Sequence, residues 1–253
     1  MPAMATQVGW QIAGRSPRVS FVAAYLVTAW AIFAVFVAVD FSDRRTLADP
    51  FGFTIPSDIG GVPAALSRLP VAPFVNAGVA QIIYVTVLLL VVGRRLERDI
   101  GPWRVAAVFV GSTWLAALAA TALLHGLEWS HPAALSDVVD DAWLRNWNGG
   151  SAGCYGLIGW AAARAPRHRL GIVVLVLVYE SLLTAAHLRS FTPAFHVGAF
   201  ACGWLVGSWQ RSSRPLPLHP AISSARLPPS TDGTPQRPAA GEDQALPSLA
   251  VRR

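Results

Sequence analysis

Charged residues are scarce in this chain. Asp, Glu, Lys and Arg together make up 13% of its 253 residues, whereas a soluble globular domain carries about 25%. Hydrophobic residues account for 53% of the chain, and its mean hydropathy is +0.45. These values exclude an ordinary soluble domain and indicate a chain that is largely embedded in lipid.

Cysteine is nearly absent as well. The two cysteines, Cys154 and Cys202, both lie in apolar runs, so they cannot build a disulfide framework. The six histidines are scattered and no CxxC pair occurs, so the ligand spacings typical of zinc sites are missing. We therefore expect neither a metal nor a cofactor.

The chain also lacks a basic patch interleaved with aromatic residues, which is the pattern of a nucleic-acid-binding surface. Its formal net charge of +6 comes instead from short arginine clusters between apolar runs. Clusters placed in this way encode membrane topology. We expect the lipid bilayer, and not a nucleic acid, to be its partner.

Six apolar runs are candidates for membrane spans, because a helix needs about 20 apolar residues to cross a bilayer. They cover residues 20–39, 73–93, 104–125, 150–164, 170–188 and 193–209. The sequence thus predicts an all-α polytopic membrane protein with a six-helix bundle over residues 20–211. A cytoplasmic segment (1–19) precedes the bundle, and a disordered cytoplasmic tail (212–253), rich in Pro, Ser, Arg and Ala, follows it.

The arginine clusters also predict the orientation. They precede the first run, join the second run to the third and the fourth to the fifth, and follow the sixth, whereas the remaining loops are acidic. The positive-inside rule therefore places both termini in the cytoplasm. The expected location is a bacterial plasma membrane.

The fourth run is unusually short. From Gly149 to Arg164 it would form roughly 22 Å of helix, whereas the hydrocarbon core is about 30 Å thick. With Arg164 at the cytoplasmic face, Ser151 would lie in the first turn of a helix that starts inside the membrane. The unpaired N–H groups of that turn stabilise negative charge, so Ser151 is a candidate nucleophile beside an oxyanion site. The alternative is that Ser151 merely caps the helix.

A serine nucleophile needs a base, and His196 lies within the sixth run. Thr192 and Pro193 are typical of a helix start, which puts His196 about one turn inside the helix, at a depth similar to that of Ser151. We expect Ser151 Oγ within about 4 Å of His196 Nε2. The alternative is a structural histidine bonded to a backbone carbonyl.

Glu180 lies near the middle of the fifth run, where a charged side chain is costly unless it has partners. It is expected to face the bundle and to bond to a hydroxyl such as that of Thr184, with a role in proton relay as the alternative. The sequence indicates no acidic partner for His196, so Ser151 and His196 are expected to form a dyad.

Two of the motifs around these residues resemble those of the rhomboid family of intramembrane proteases. GGSAGCYGLIGW resembles the family's GxSx motif, with Tyr155 four residues and Gly159 eight residues past Ser151. His196, followed by Gly203, is similar to the HxxGxxxG motif of the family's last helix.

A third motif, GRRLERDIG, resembles the family's GxxxExxxG at the end of the second helix. We expect its Glu97 to pair with an arginine or to cap a helix, and Gly93 and Gly101 to allow a tight turn. The positions that match the family's HxxxN motif are Gln81 and Val85, of which Gln81 alone can donate a side-chain hydrogen bond.

The resemblance implies an intramembrane serine protease that cleaves transmembrane segments of membrane proteins near the outer face. Ser151 would be the nucleophile and His196 the base, with Tyr155 packed against the imidazole ring. Groups that would hold or support the oxyanion are the Ser151 backbone N–H together with Gln81, Asn148 and Gly149. The alternative is a catalytically inactive rhomboid-like protein that binds membrane clients.

Overall fold

The computed structural model describes residues 19–39, 43, 47–76, 78–130, 135–143, 145–186 and 191–212. Helices dominate this part of the chain, with short 3₁₀ turns between α1 and α3. The helices are α1 (Phe21–Val39), α2 (Val62–Arg68), α3 (Val79–Ile100), α4 (Pro102–Ser130), α5 (Ser136–Trp143), α6 (Ser151–Arg164), α7 (Arg169–Ala186) and α8 (Thr192–Ser212). Residues 1–18 and 213–253, on which the predicted N-terminal segment and tail fall, lie outside the described residues.

Three of the described helices, α1, α3 and α4, are long and apolar enough to cross a bilayer. Helices α1 and α4 match the first and third predicted runs, which confirms the helical, membrane-embedded character expected from hydropathy. Helix α3 overlaps the second run but begins and ends later than the predicted 73–93. Helices α6, α7 and α8 coincide with the last three runs, and the count of six spans stays a prediction.

The all-α prediction missed a small β-ribbon. Strand β1 (Phe53–Thr54) pairs antiparallel with strand β2 (Asn146–Trp147), with Phe53 opposite Trp147. Two residues per strand are too few to show the alternating pattern by which strands are recognised in a sequence.

Glu97, in α3, caps the N-terminus of α1. Its Oε1 accepts a hydrogen bond from the Val22 N–H at 3.0 Å, and its Oε2 accepts one from Ser20 Oγ at 2.7 Å. Ser20 Oγ in turn accepts a hydrogen bond from the Ala23 N–H at 3.1 Å, and Arg94 lies 3.7 Å from Glu97 Oε2. The expectation that Glu97 caps a helix or pairs with an arginine is therefore confirmed, and the negative charge lies where the helix dipole favours it.

The two glycines of the same motif have different roles. Gly101 ends α3 with a φ of +85° and donates its N–H to the Glu97 carbonyl at 2.9 Å, which confirms the tight turn expected there. The same expectation for Gly93 is wrong, because Gly93 lies inside α3, in a π-helical turn. A Cβ on Gly93 would lie 3.0 Å from Val22 Cγ2, so this glycine allows α3 to approach α1.

Helix α6 lies at the centre of the bundle, packed between α4 and α8. Ten of its 14 residues are buried, so protein surrounds it on all sides. A Cβ on Gly159 would overlap the Phe200 carbonyl, and a Cβ on Gly203 would lie 2.7 Å from the Gly156 carbonyl carbon. These glycines let the backbones of α6 and α8 touch, which places the starts of the two helices side by side.

Candidate active site

Ser151 is the first residue of α6, and Gly150 occupies the capping position before it. Its Oγ lies 3.0 Å from His196 Nε2, which confirms the separation expected from the sequence. The Ser151 side chain thus faces the imidazole of His196 on α8. The capping position belongs to Gly150, so the alternative that Ser151 merely caps α6 has no support.

His196 is buried one turn inside α8, as predicted, and α8 begins at Thr192, one residue before the expected first helical position at Pro193. Its ring stacks on that of Tyr155, with the ring centroids 4.3 Å apart and the planes 6° from parallel. This confirms the predicted packing of Tyr155 against the imidazole. The alternative of a histidine bonded to a backbone carbonyl is wrong, because both ring nitrogens contact side chains.

An acidic partner of His196 was missed by the sequence analysis. Glu180, in α7, is buried and places its Oε1 3.0 Å from His196 Nδ1. The same oxygen accepts a hydrogen bond from the Tyr155 hydroxyl, so the expectation that Glu180 faces the bundle and bonds to a hydroxyl is confirmed. The hydroxyl belongs to Tyr155, whereas the side chain of Thr184 lies outside the described residues.

The loop that leads into α6 is held by hydrogen bonds at Asn148 and Gly149. Gln81 Nε2 donates to the Asn148 carbonyl at 2.8 Å, and the Gly149 N–H donates to the Ala72 carbonyl at 2.8 Å. Gly149 has a φ of +92°, and a Cβ there would lie 2.7 Å from Gln81 Cδ. Glycine is therefore required at 149 both for its conformation and for its closeness to Gln81.

Two further side chains enclose this loop, and no sequence pattern singled them out. Asn76 is fully buried, and a Cβ on Gly149 would lie 2.8 Å from its Oδ1. Tyr25, in α1, donates its hydroxyl to the Pro73 carbonyl at 2.6 Å, and a Cβ on Gly150 would lie 2.9 Å from Tyr25 Cζ. Asn76 could have been identified from the sequence, because it is a polar residue near the start of the second apolar run.

Aromatic contacts tie the same loop to α8. Trp147, in β2, stacks on Phe195 with the ring centroids 4.2 Å apart, and the Arg145 guanidinium carbon lies 4.9 Å from the centroid of the tryptophan ring. Phe195 immediately precedes His196 in the chain. The irregular backbone before α6 is thus covered by protein, which is the condition for such backbone at membrane depth.

Ser151 and His196 both line a cavity of about 900 Å³. Polar side chains from the loop and from α3 share its wall, among them Gln81, Asn146 and Asn148. Val85 is buried instead beside Cys154, whose thiol lies 4.0 Å from the Val85 carbonyl. Within the ranges that the structure describes, no three His, Cys, Asp or Glu side chains are grouped to hold a metal ion.

The rhomboid-domain family model matches residues 63–212, which is more than half of the chain and includes Ser151, His196 and Glu180. The chain therefore belongs to the rhomboid family. It is an integral membrane protein of a family that consists of intramembrane serine proteases and their inactive relatives. No curated protein is significantly similar to it.

Proposed function

We propose that this protein is an intramembrane serine protease that cleaves transmembrane segments of membrane proteins near the outer face. The observation that carries the proposal is the 3.0 Å contact between Ser151 Oγ and His196 Nε2 in the wall of a cavity. A hydroxyl is a weak nucleophile until a base takes its proton, and this contact supplies the base.

The reaction proceeds by acyl transfer. His196 Nε2 takes the proton of Ser151 as Oγ attacks the peptide carbonyl, and the tetrahedral intermediate collapses when the same proton passes to the leaving amine. A water molecule in the cavity then attacks the acyl-enzyme, again with His196 as the base, and releases Ser151.

The oxyanion would lie at the N-terminus of α6, where the Ser151 N–H belongs to the first turn and has no acceptor within the helix. Asn148 lines the same cavity, and its side-chain amide would be a second donor. Gln81 Nε2 carries two hydrogens, one of which is directed at the Asn148 carbonyl. The loss of one hydrogen-bond donor to the oxyanion costs about 3 kcal/mol in the transition state. Because the Gln81 amide is engaged with Asn148, we expect a slow enzyme.

An inactive, client-binding rhomboid-like protein is the second candidate function. The engagement of the Gln81 amide with the Asn148 carbonyl and the burial of Val85 beside Cys154 favour it. These are the two positions at which the family's HxxxN side chains would stand.

Cleavage of a reporter separates the two candidates. We expect the purified protein, in lipid vesicles with a single-span reporter, to cut the reporter, and Ser151→Ala to leave it intact. Ser112→Ala is the matched control, because Ser112 is a buried serine whose hydroxyl bonds to the Phe109 carbonyl, and it should cut normally. Mass spectrometry of the fragments locates the bond. If the unmodified protein leaves the reporter intact but retains it in pull-downs, the client-binding function is established instead.

The six-span topology, with both termini in the cytoplasm, is also a proposal. It is supported by Arg94, Arg98 and Arg104, which surround the junction of α3 and α4, and by Arg164 at the end of α6 with the basic turn that follows it. Reporter fusions after residues 45 and 135 should be external, and a fusion after residue 166 should be cytoplasmic. An external reporter after residue 166 would contradict six spans.

A further inference from the structure

Glu180 is a buried carboxylate in the middle of an apolar helix. It is 3% exposed, and the sequence around it, VLVLVYESLL, is otherwise poor in polar residues. Ionisable side chains within membrane helices are costly, and where they persist they mark functional sites. The family motifs found in the sequence do not include this residue.

Three helices meet at this carboxylate. Its Oε1 accepts a hydrogen bond from the Tyr155 hydroxyl on α6 and lies 3.0 Å from His196 Nδ1 on α8. His196 Nε2 lies 3.0 Å from Ser151 Oγ, so the two ring nitrogens are occupied at once. The parallel Tyr155 ring, 4.3 Å away, prevents the imidazole from tilting.

We propose that Glu180 is a positioning residue that holds His196 in the tautomer with hydrogen on Nδ1, so that the Nε2 lone pair faces Ser151. The proposal rests on the proposed protease function for its catalytic consequence. The active site is then a line of three side chains, Glu180, His196 and Ser151, and the dyad expected from the sequence has an acidic third member.

The chemistry of the carboxylate supports this arrangement. An ionised carboxylate has acceptors and no donor, so the group facing it on the ring must be an N–H. When Ser151 gives its proton to Nε2, the ring becomes an imidazolium, and the adjacent negative charge stabilises it. The carboxylate takes no proton itself.

Two substitutions separate this role from packing. In Glu180→Gln the shape is kept, but the amide can donate to Nδ1 and leave the hydrogen of the ring on Nε2, facing Ser151. In Glu180→Asp the charge is kept, but the side chain is one methylene shorter. Packing alone predicts that Gln is tolerated better than Asp, whereas control of the tautomer predicts the reverse order.

The rate constant for labelling of Ser151 by a fluorophosphonate measures the effect. We expect Glu180→Gln to lower it between tenfold and about 10⁴-fold, the latter being the loss that the carboxylate-to-amide change causes in a soluble triad, and Glu180→Asp to lower it less. Glu97→Gln is the matched control, since Glu97 is another hydrogen-bonded carboxylate, with a side chain that is 7% exposed, at the far end of α3 from Gln81. It should label at the unmodified rate. A Glu180→Gln protein that labels as fast as the unmodified one overturns the proposal.

The tautomer is read directly by ¹⁵N NMR of histidine-labelled protein, with His196→Ala used to assign the signals. In a Ser151→Ala background, which needs no activity, we expect hydrogen on His196 Nδ1 when Glu180 is present and on Nε2 in Glu180→Gln. Hydrogen on Nε2 with Glu180 in place overturns the proposal, even if the glutamine variant fails to fold. If the unmodified protein neither labels nor cuts a reporter, the protease function fails, and this spectrum still decides whether Glu180 positions the ring.

Discussion

Replacing His196 with alanine is expected to lower the rate of fluorophosphonate labelling at Ser151 by at least about a thousandfold. In a soluble serine protease, loss of the base costs about 10⁶ in turnover, because the serine keeps its proton. His196 Nε2 lies 3.0 Å from Ser151 Oγ, and within the described residues no other histidine contacts this serine. In-gel fluorescence after timed exposure to the probe gives the rate.

His125→Ala is the matched control for this experiment. His125 contacts the Pro56 carbonyl through Nε2 at 3.0 Å and packs against Trp143, so its loss removes a comparable set of contacts away from Ser151. Its labelling rate should remain that of the unmodified protein. His196→Gln keeps more of the side-chain volume and should be as slow as His196→Ala. If either His196 variant labels normally while Ser151→Ala does not, another group is the base.

Replacing Gly203 with alanine is expected to destabilise the helix bundle strongly. The new Cβ would lie 2.7 Å from the carbonyl carbon and 2.9 Å from the Cα of Gly156. These are backbone atoms of α6, so the clash cannot be relieved by a rotamer change, and α6 and α8 must separate. Overpacking typically costs about 1–3 kcal/mol and occasionally more. A clash between two backbones lies at the upper end, and about 3 kcal/mol corresponds to a fall in Tm of about 6–12 °C for a chain of this size.

The same substitution should also slow the labelling of Ser151, because α6 carries the serine and α8 carries His196. Thermal unfolding in detergent, followed by circular dichroism, measures the first effect, and the fluorophosphonate rate measures the second. Gly171→Ala is the control, since a Cβ at this helical position meets nothing within 4 Å and should be neutral or slightly stabilising. Equal Tm values for the two variants would show that the helices do not touch at Gly203.

Much of the protein could be predicted from continuous stretches of the sequence. Hydropathy indicated α1, α3 and α4 as apolar helices, because burial in lipid requires every residue of a span to be compatible with it. The start of α6 at Ser151 and that of α8 near Thr192 followed from glycine, threonine and proline, whose backbone preferences act within one turn. Once both helix starts were known, the approach of His196 to Ser151 followed from their similar expected depth.

The partners of the polar side chains were decided by the tertiary structure alone. The sequence predicted that Glu180 faces the bundle, but not which side chains it meets there. Its contact with His196 depends on how α7 packs against α6 and α8. Gln81 was expected near the oxyanion, yet its amide is directed at Asn148, because the loop before α6 passes within hydrogen-bond distance of α3. Gly93 was similarly expected in a turn, but it lies inside α3, where it packs against α1. Each of these contacts joins residues on separate segments, and it is set by how the segments pack against each other, which no local pattern encodes.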